Sequence, residues 1–279
     1  MVMTRSEYEA IDAVSQSQLK AFIESRRKFE ALYVNRTMTY DSTDQMVLGT
    51  LVHLLTLTPD EFDSQVAIIP QDVLTSNGQR RGKAWEEWQD ANEHKAHLIR
   101  MQDYQLAKGI AKRLRAHPFL TMALGHAESI ERPIVWQDSD TGLMLKGIPD
   151  IVCDDRLRFV VDIKTTASLS SFVDDSRGRY ISKAMGNLGY HIQAAYYLDG
   201  VREAYGREAE NFALLVAETQ APYRVLAMHL ADGAIEVGRA TVRRALQQLR
   251  MCRDTNDFSE DGEGNLLVVD LPSFMYGEI

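Results

Sequence analysis

Cysteine is almost missing: Cys153 and Cys252 are the two in 279 residues, far apart and without a C-x-x-C pair. Neither a disulfide framework nor a thiolate zinc site is suggested, and a reducing compartment is expected. No apolar run approaches the roughly 20 residues needed to span a bilayer. Glu7, Glu9 and Asp12 fall where a secretion signal would be apolar, so a soluble, cytoplasmic protein without a membrane partner is expected. Positive charge is short as well, with 31 Lys plus Arg against 40 Asp plus Glu and a net charge of −9. That balance argues against a uniformly basic coat for nucleic acid and leaves room for a local basic channel. The chain has no G-x-S-x-G, Walker A or G-x-G-x-x-G motif, so nucleophile-elbow, P-loop and dinucleotide chemistry lack their local signatures. No internal repeat, low-complexity tract or Pro/Gly/Ser linker divides it either.

What is present is an ordinary globular composition, 45% hydrophobic and 25% charged. One domain over residues 1–279 is expected, with a mainly helical part (1–120), a sheet–helix core (121–253) and an irregular tail (254–279). Ser15–Tyr33 places Leu19, Phe22, Ile23, Phe29 and Leu32 at mostly helical intervals behind capping serines. Further helices are expected over Asp44–Thr56, over Gly82–Leu114 as one long charged segment, over Asn187–Tyr205 and over Ala234–Arg253. Ile130–Trp136, Leu143–Ile148 and Arg158–Ile163 are short and rich in β-branched residues, separated by the turn stretches DSDTG and CDDR. They read as a β meander, and FALLVAE and YRVLAMHL read as two more strands. The expected fold class is α/β (α+β), a central mixed sheet flanked by helices.

Chemistry concentrates in Gly147-Ile148-Pro149-Asp150, followed after eleven residues by Asp162-Ile163-Lys164. Side chains two apart on a strand share a face, so Asp162 and Lys164 project together while Ile163 turns into the core and offers its carbonyl at the same edge. If the two strands pair, the carboxylates of Asp150 and Asp162 meet and repel. A hard divalent cation relieves that repulsion; Mg²⁺ suits it, with Mn²⁺ as a substitute, and a phosphodiester completes the shell. Lys164 can then orient the attacking water. A bare D-x-K also describes an ordinary strand end with its two residues paired; Pro149-Asp150 on the preceding strand favours the metal site.

Pro149-Asp150…Asp162-x-Lys164 resembles the signature of the PD-(D/E)xK nucleases. Gly49-Thr-Leu-Val-His53 looks like the G-x-x-x-H element of the RecB-like branch, and Gln193-Ala-Ala-Tyr-Tyr197 like its Q-x-x-x-Y element. The opening Ser15-Gln-Ser17-Gln-Leu19 and the stretch from Glu131 to Thr166 further resemble phage-type exonuclease VIII (RecE-like) proteins. The resemblance implies a restriction-endonuclease-like core and a Mg²⁺-dependent exodeoxyribonuclease acting on linear double-stranded DNA from the 5′ end. It also implies a homo-oligomeric ring, a single-strand annealing recombinase as partner, and a bacterial or phage-infected cell. Ile148 stands where many such relatives carry an arginine, and Asp162 where the wider superfamily often carries glutamate.

His53 lies in the apolar stretch LVHLL and alone reads as a core histidine; beside the acidic motif it becomes a metal neighbour. Gln193 and Tyr197, four apart, share a helix face and can address the same cleft. Glu131 can supply a further oxygen from the first strand. Arg80, Arg81 and Lys83, followed by Trp85, form a loop suited to a terminal phosphate or a frayed base, although charge runs usually just face solvent. The alternatives to an exonuclease are a non-catalytic DNA-end or protein-binding module on the same scaffold and an endonuclease.

Overall fold

The structure is a computed structural model describing residues 3, 5–39, 42–173, 182–266 and 268–270. The chain opens with helix α1 (Arg5–Ala10), the short strand β1 (Val14–Ser15) and helices α2 (Gln16–Glu24) and α3 (Arg26–Phe29), which runs into a π-helical turn at Glu30–Val34. Next come α4 (Asp44–Leu57), α5 (Phe62–Gln65), β2 (Val66–Ile69), α6 (Lys83–Ala91), β3 (His97–Arg100), α7 (Met101–Arg115) and α8 (Pro118–Gly125). Strands β4 (Ala127–Ile130), β5 (Ile134–Gln137), β6 (Met144–Gly147), β7 (Ile151–Cys153) and β8 (Phe159–Thr166) follow. The chain continues through α9 (Lys183–Asn187), α10 (Tyr190–Tyr205), β9 (Asn211–Glu218), β10 (Val225–His229) and the long α11 (Asp232–Thr255). Helices around mixed sheets make this an α/β fold, as expected. Among the described residues no helix is long and apolar enough to cross a membrane.

The strands after α8 do not form a single meander. Five of them make a sheet ordered β10-β9-β8-β7-β4, while β5 and β6 leave it to join β1 in a separate three-stranded sheet. The division falls at Glu131, which takes φ 49°, a left-handed conformation uncommon outside glycine, and so ends β4. Ile130–Trp136, expected as one strand, is therefore two. In the larger sheet β7 and β8 run antiparallel and β8 and β9 parallel, joined through α10 as a parallel pair requires.

Both faces of that sheet are buried, so its strands read as apolar runs rather than alternating ones. Val152, Val160, Leu214 and Val216 pack on one face into a core shared with α2, α10 and α11. Ile151, Val161, Ile163 and Leu215 pack on the other with α4, α7 and α8.

Three further expectations change. Gly82–Leu114 is α6, β3 and α7, because His97–Arg100 pairs in parallel with Val66–Ile69, a tertiary contact that helix-forming neighbours conceal. Asn187–Tyr205 is broken at Gly189, which takes φ 72° before α10 begins. The tail is ordered locally: Phe258 is buried on Phe29, and Glu260 and Glu263 bond Ser25 and Arg27. Residues 267 and 271–279 of the expected irregular segment lie outside the described residues.

Helices α10 and α11 meet closely at Gly238, where an added Cβ would sit 2.1 Å from the backbone oxygen of His191. Gly238→Ala should cost about 1–3 kcal/mol in urea unfolding, since the helices must part. Gly233→Ala, in the same helix with nothing within 4 Å of the new Cβ, should be neutral or stabilise by up to about 1 kcal/mol.

Candidate metal centre

Asp150 closes the Ile148-Pro149 turn one residue before β7. Because β7 begins only at Ile151, it offers no strand partner to the Ile163 amide. The Asp150 side chain takes that place, its Oδ2 accepting the Ile163 N–H at 2.6 Å. The Asp150 carbonyl in turn accepts the Glu131 N–H at 2.9 Å, tying the left-handed turn after β4 to the same point. From the opposite side of the sheet, α4 brings His53, whose Nδ1 lies 3.2 Å from Glu131 Oε1 and 3.5 Å from Asp150 Oδ1. Its Nε2 reaches the Ile163 carbonyl at 3.0 Å. One atom each from His53, Glu131 and Asp150 can be chosen so that all lie within 4.8 Å of one another.

Asp162 and Lys164 project from β8 toward α10. Asp162 is 1% exposed. Gln193 donates to its Oδ1 at 2.7 Å and the Lys164 ammonium lies 2.5 Å from its Oδ2. The same ammonium sits 5.8 Å from the ring centre of Tyr190, one helical turn before Gln193. Asp162 stays close enough to Asp150 for the charge of Asp150 to help raise it, but the two acids have different bonding partners. Asp150 joins Glu131 and His53, while strand alternation turns Asp162 to the α10 face, where Gln193 and Lys164 engage both its oxygens.

Burial sets the protonation of the cluster. It drives the Asp162 carboxyl up to about 6 against the opposing charge of Lys164, and it raises Asp150 as well. Burial alone would lower His53, but the charges of Asp150 and Glu131 outweigh it and raise the imidazole to about 9. Lys164 is likewise raised, the pull of Asp162 and Asp150 exceeding its desolvation. The imidazolium and the ammonium are what offset the acids in the free protein.

The donor set fits a hard divalent cation. Two carboxylates and a backbone carbonyl supply oxygen, and His53 adds a nitrogen better suited to Mn²⁺ than to Mg²⁺.

Tyr197 packs its ring against β6, where a Cβ at Gly147 would lie 2.8 Å from it. The basic loop stands apart. Arg80 lines a cleft with Asp44, Leu48, Leu51 and Arg100, and Leu48 and Leu51 lie on the face of α4 turned away from His53. Arg81 is exposed, and Lys83 faces Glu87 at 3.6 Å. Trp85 is buried beside Trp88, with ring centres 5.6 Å apart, so it presents no open face to a base. Tyr190 was not among the candidates; its place three residues before Gln193, on the same helix face, was the available signal.

Residues 15–266 match the family model described as a PDDEXK-like domain of unknown function (DUF3799). The chain belongs to this family. No curated protein matches it. Among solved structures, a protein from Eubacterium rectale carrying a provisional exonuclease designation is 16% identical, with 99% of this chain and 98% of that one covered and a TM-score of 0.63. At that identity the likeness concerns the fold. The SSO0001 protein, 13% identical over 86% of each chain, reaches a TM-score of only 0.31, too low to carry an argument.

The raised His53 gives the metal-free protein a testable pH dependence. Its folded value of about 9 exceeds the ordinary 6.5, so its contribution is fully present below pH 6.5 and is lost as pH rises through 9. Urea unfolding in EDTA should show stability falling across that window, and His53→Gln should flatten the decline.

Proposed function

We propose that the chain is a divalent-metal-dependent exodeoxyribonuclease that hydrolyses linear double-stranded DNA. The clustering of His53, Glu131 and Asp150, with His53 also bonded to the Ile163 carbonyl and with Asp162 and Lys164 on the other face of β8, carries the reading. Family membership supports the nuclease class. The finer features rest on the resemblance to exonuclease VIII: 5′-to-3′ direction, 3′ overhangs for recombination, a ring of subunits, and a single-strand annealing partner.

Asp150, Glu131 and the Ile163 carbonyl would hold Mg²⁺ or Mn²⁺, with His53 and Asp162 assisting. When bound, the ion polarises a phosphoryl oxygen and lowers the pKa of a water. Lys164, held by Asp162 and backed by Tyr190, orients the attacking water and offsets the charge that grows on the phosphate. Gln193 fixes the Asp162 rotamer through its 2.7 Å bond, and so fixes Lys164 as well. Hydrolysis forms a new P–O bond from water and breaks the ester P–O bond, whose oxygen leaves with a proton from solvent. Arg80, which lines the cleft against the face of α4 away from the cluster, together with Arg81 and Lys83, would contact more distant phosphates.

The test uses Mg²⁺ or Mn²⁺ with linear 5′-labelled duplex and covalently closed circular DNA. Early release of the 5′ label with the circle untouched is the expected result. Lys164→Ala should slow the reaction about 10²–10³-fold, the usual cost of removing one preorganised electrostatic contact. Asp150→Ala should abolish it. Cutting of the circle would make the protein an endonuclease, and a folded protein inert toward both would point to a binding module.

A further inference from the structure

A cavity of about 430 Å³ opens directly beside the metal cluster, sharing Glu131 with it. Its volume falls within the ~300–1,000 Å³ of small-molecule sites. Gln16 and Ser17 from the first turn of α2, Tyr33, Gly147 and Tyr197 form much of its wall. Whatever fills it abuts the reacting phosphate of the proposed nuclease.

The charge of this wall argues against a phosphate as its occupant. Among the described residues that line it Lys146 is the one cation, and its ammonium donates to the carbonyls of Tyr8, Glu9 and Ile11 at 2.9, 3.3 and 2.8 Å. Glu9 and Glu131, the latter facing His53, line the same space, so among the described lining residues two carboxylates stand beside one cation. The remaining polar groups are neutral amides and hydroxyls, which suit the edges of a nucleobase or a sugar.

Tyrosine rings complete the wall: Tyr8, whose ring centre lies 4.8 Å from the Lys146 ammonium, together with Tyr33 and Tyr197. Tyr197 lies flush with β6 because Gly147 has no side chain, an added Cβ there falling 2.8 Å from the ring. Tyr33 belongs to the π-helical turn at Glu30–Val34 and packs on Phe29, with ring centres 5.4 Å apart. Such turns are rare and recur at functional sites. Aromatic faces beside neutral hydrogen-bonding groups are the surface on which unpaired bases stack.

We propose that this cavity receives the nucleoside adjoining the scissile phosphodiester, with Tyr33 and Tyr197 contacting the base and Gln16 and Ser17 its polar edge. The proposal rests on the nuclease reading, and its test keeps the two apart. Linear duplexes carrying a single abasic tetrahydrofuran residue at the first, second or third nucleotide from the 5′ end are compared with intact duplex. Degradation is followed in Mn²⁺ and binding by anisotropy in Ca²⁺.

One abasic position should lower kcat/KM or affinity about tenfold, within the range for loss of one base stack. Tyr33→Ala should show that loss on intact DNA and no further loss at the abasic position, whereas Tyr33→Phe keeps the discrimination. Ser17→Trp, at an exposed first-turn position, fills the cavity without entering the core and should raise KM about tenfold with kcat little changed. Equal handling of every abasic duplex, or discrimination that survives both Tyr33→Ala and Ser17→Trp, overturns the subsite. Discrimination in binding without cleavage upholds the subsite and contradicts the nuclease.

Discussion

Three carboxylates, from Asp150, Glu131 and Asp162, are held at one end of the central sheet, two of them buried. Buried negative charge is costly unless it is matched, and here the matching is built from both faces of the sheet. His53 comes from α4 below; Lys164 stands on β8 itself and Gln193 comes from α10 above. The two hydrophobic cores that sandwich the sheet are therefore also what brings these side chains into register. His53 and Asp150 are tied to the backbone of β8 at Ile163, and Asp162 is held by Gln193 and by its ion pair with Lys164.

That arrangement also explains the local irregularities. Asp150 substitutes for a missing strand partner at Ile163, and the left-handed Glu131 ends β4 so that its side chain turns to His53. Positions held in sparsely populated backbone regions concentrate where geometry serves chemistry. The same break releases β5 and β6 to a second sheet, whose Gly147 edge forms a wall of the neighbouring cavity. Fold and site are thus linked at the turn between β4 and β5.

Much of this was legible in the residues. Arg158–Ile163 and FALLVAE were legible as strands, though not that they pair in parallel, and the His53, Asp150, Asp162, Lys164 and Gln193 positions lie around one end of them. Pairings of distant segments were not legible. His97–Arg100 is a strand only because Val66–Ile69 lies beside it, and a charged neighbourhood of strong helix formers masks that contact. Nor could spacing show how the acids divide, with Asp150 joining Glu131 and Asp162 joining Gln193 and Lys164, since that depends on how two faces of a sheet meet at its edge. Trp85 is the plainest difference. Its basic neighbours suggested a nucleic-acid contact, and its ring is instead engaged by Trp88 and by Arg80, 5.8 Å from its centre.

Hydrolysis at this site requires the acids and the Ile163 carbonyl to form a cation site. Titration of the folded protein with Mn²⁺, reading the free ion by electron paramagnetic resonance, tests this directly. Saturable binding that disappears in Asp150→Ala and weakens in Glu131→Ala, while Arg81→Ala is unaffected, is the predicted result. Absence of saturable binding in the wild-type protein, or a site that survives intact in Asp150→Ala, would contradict it.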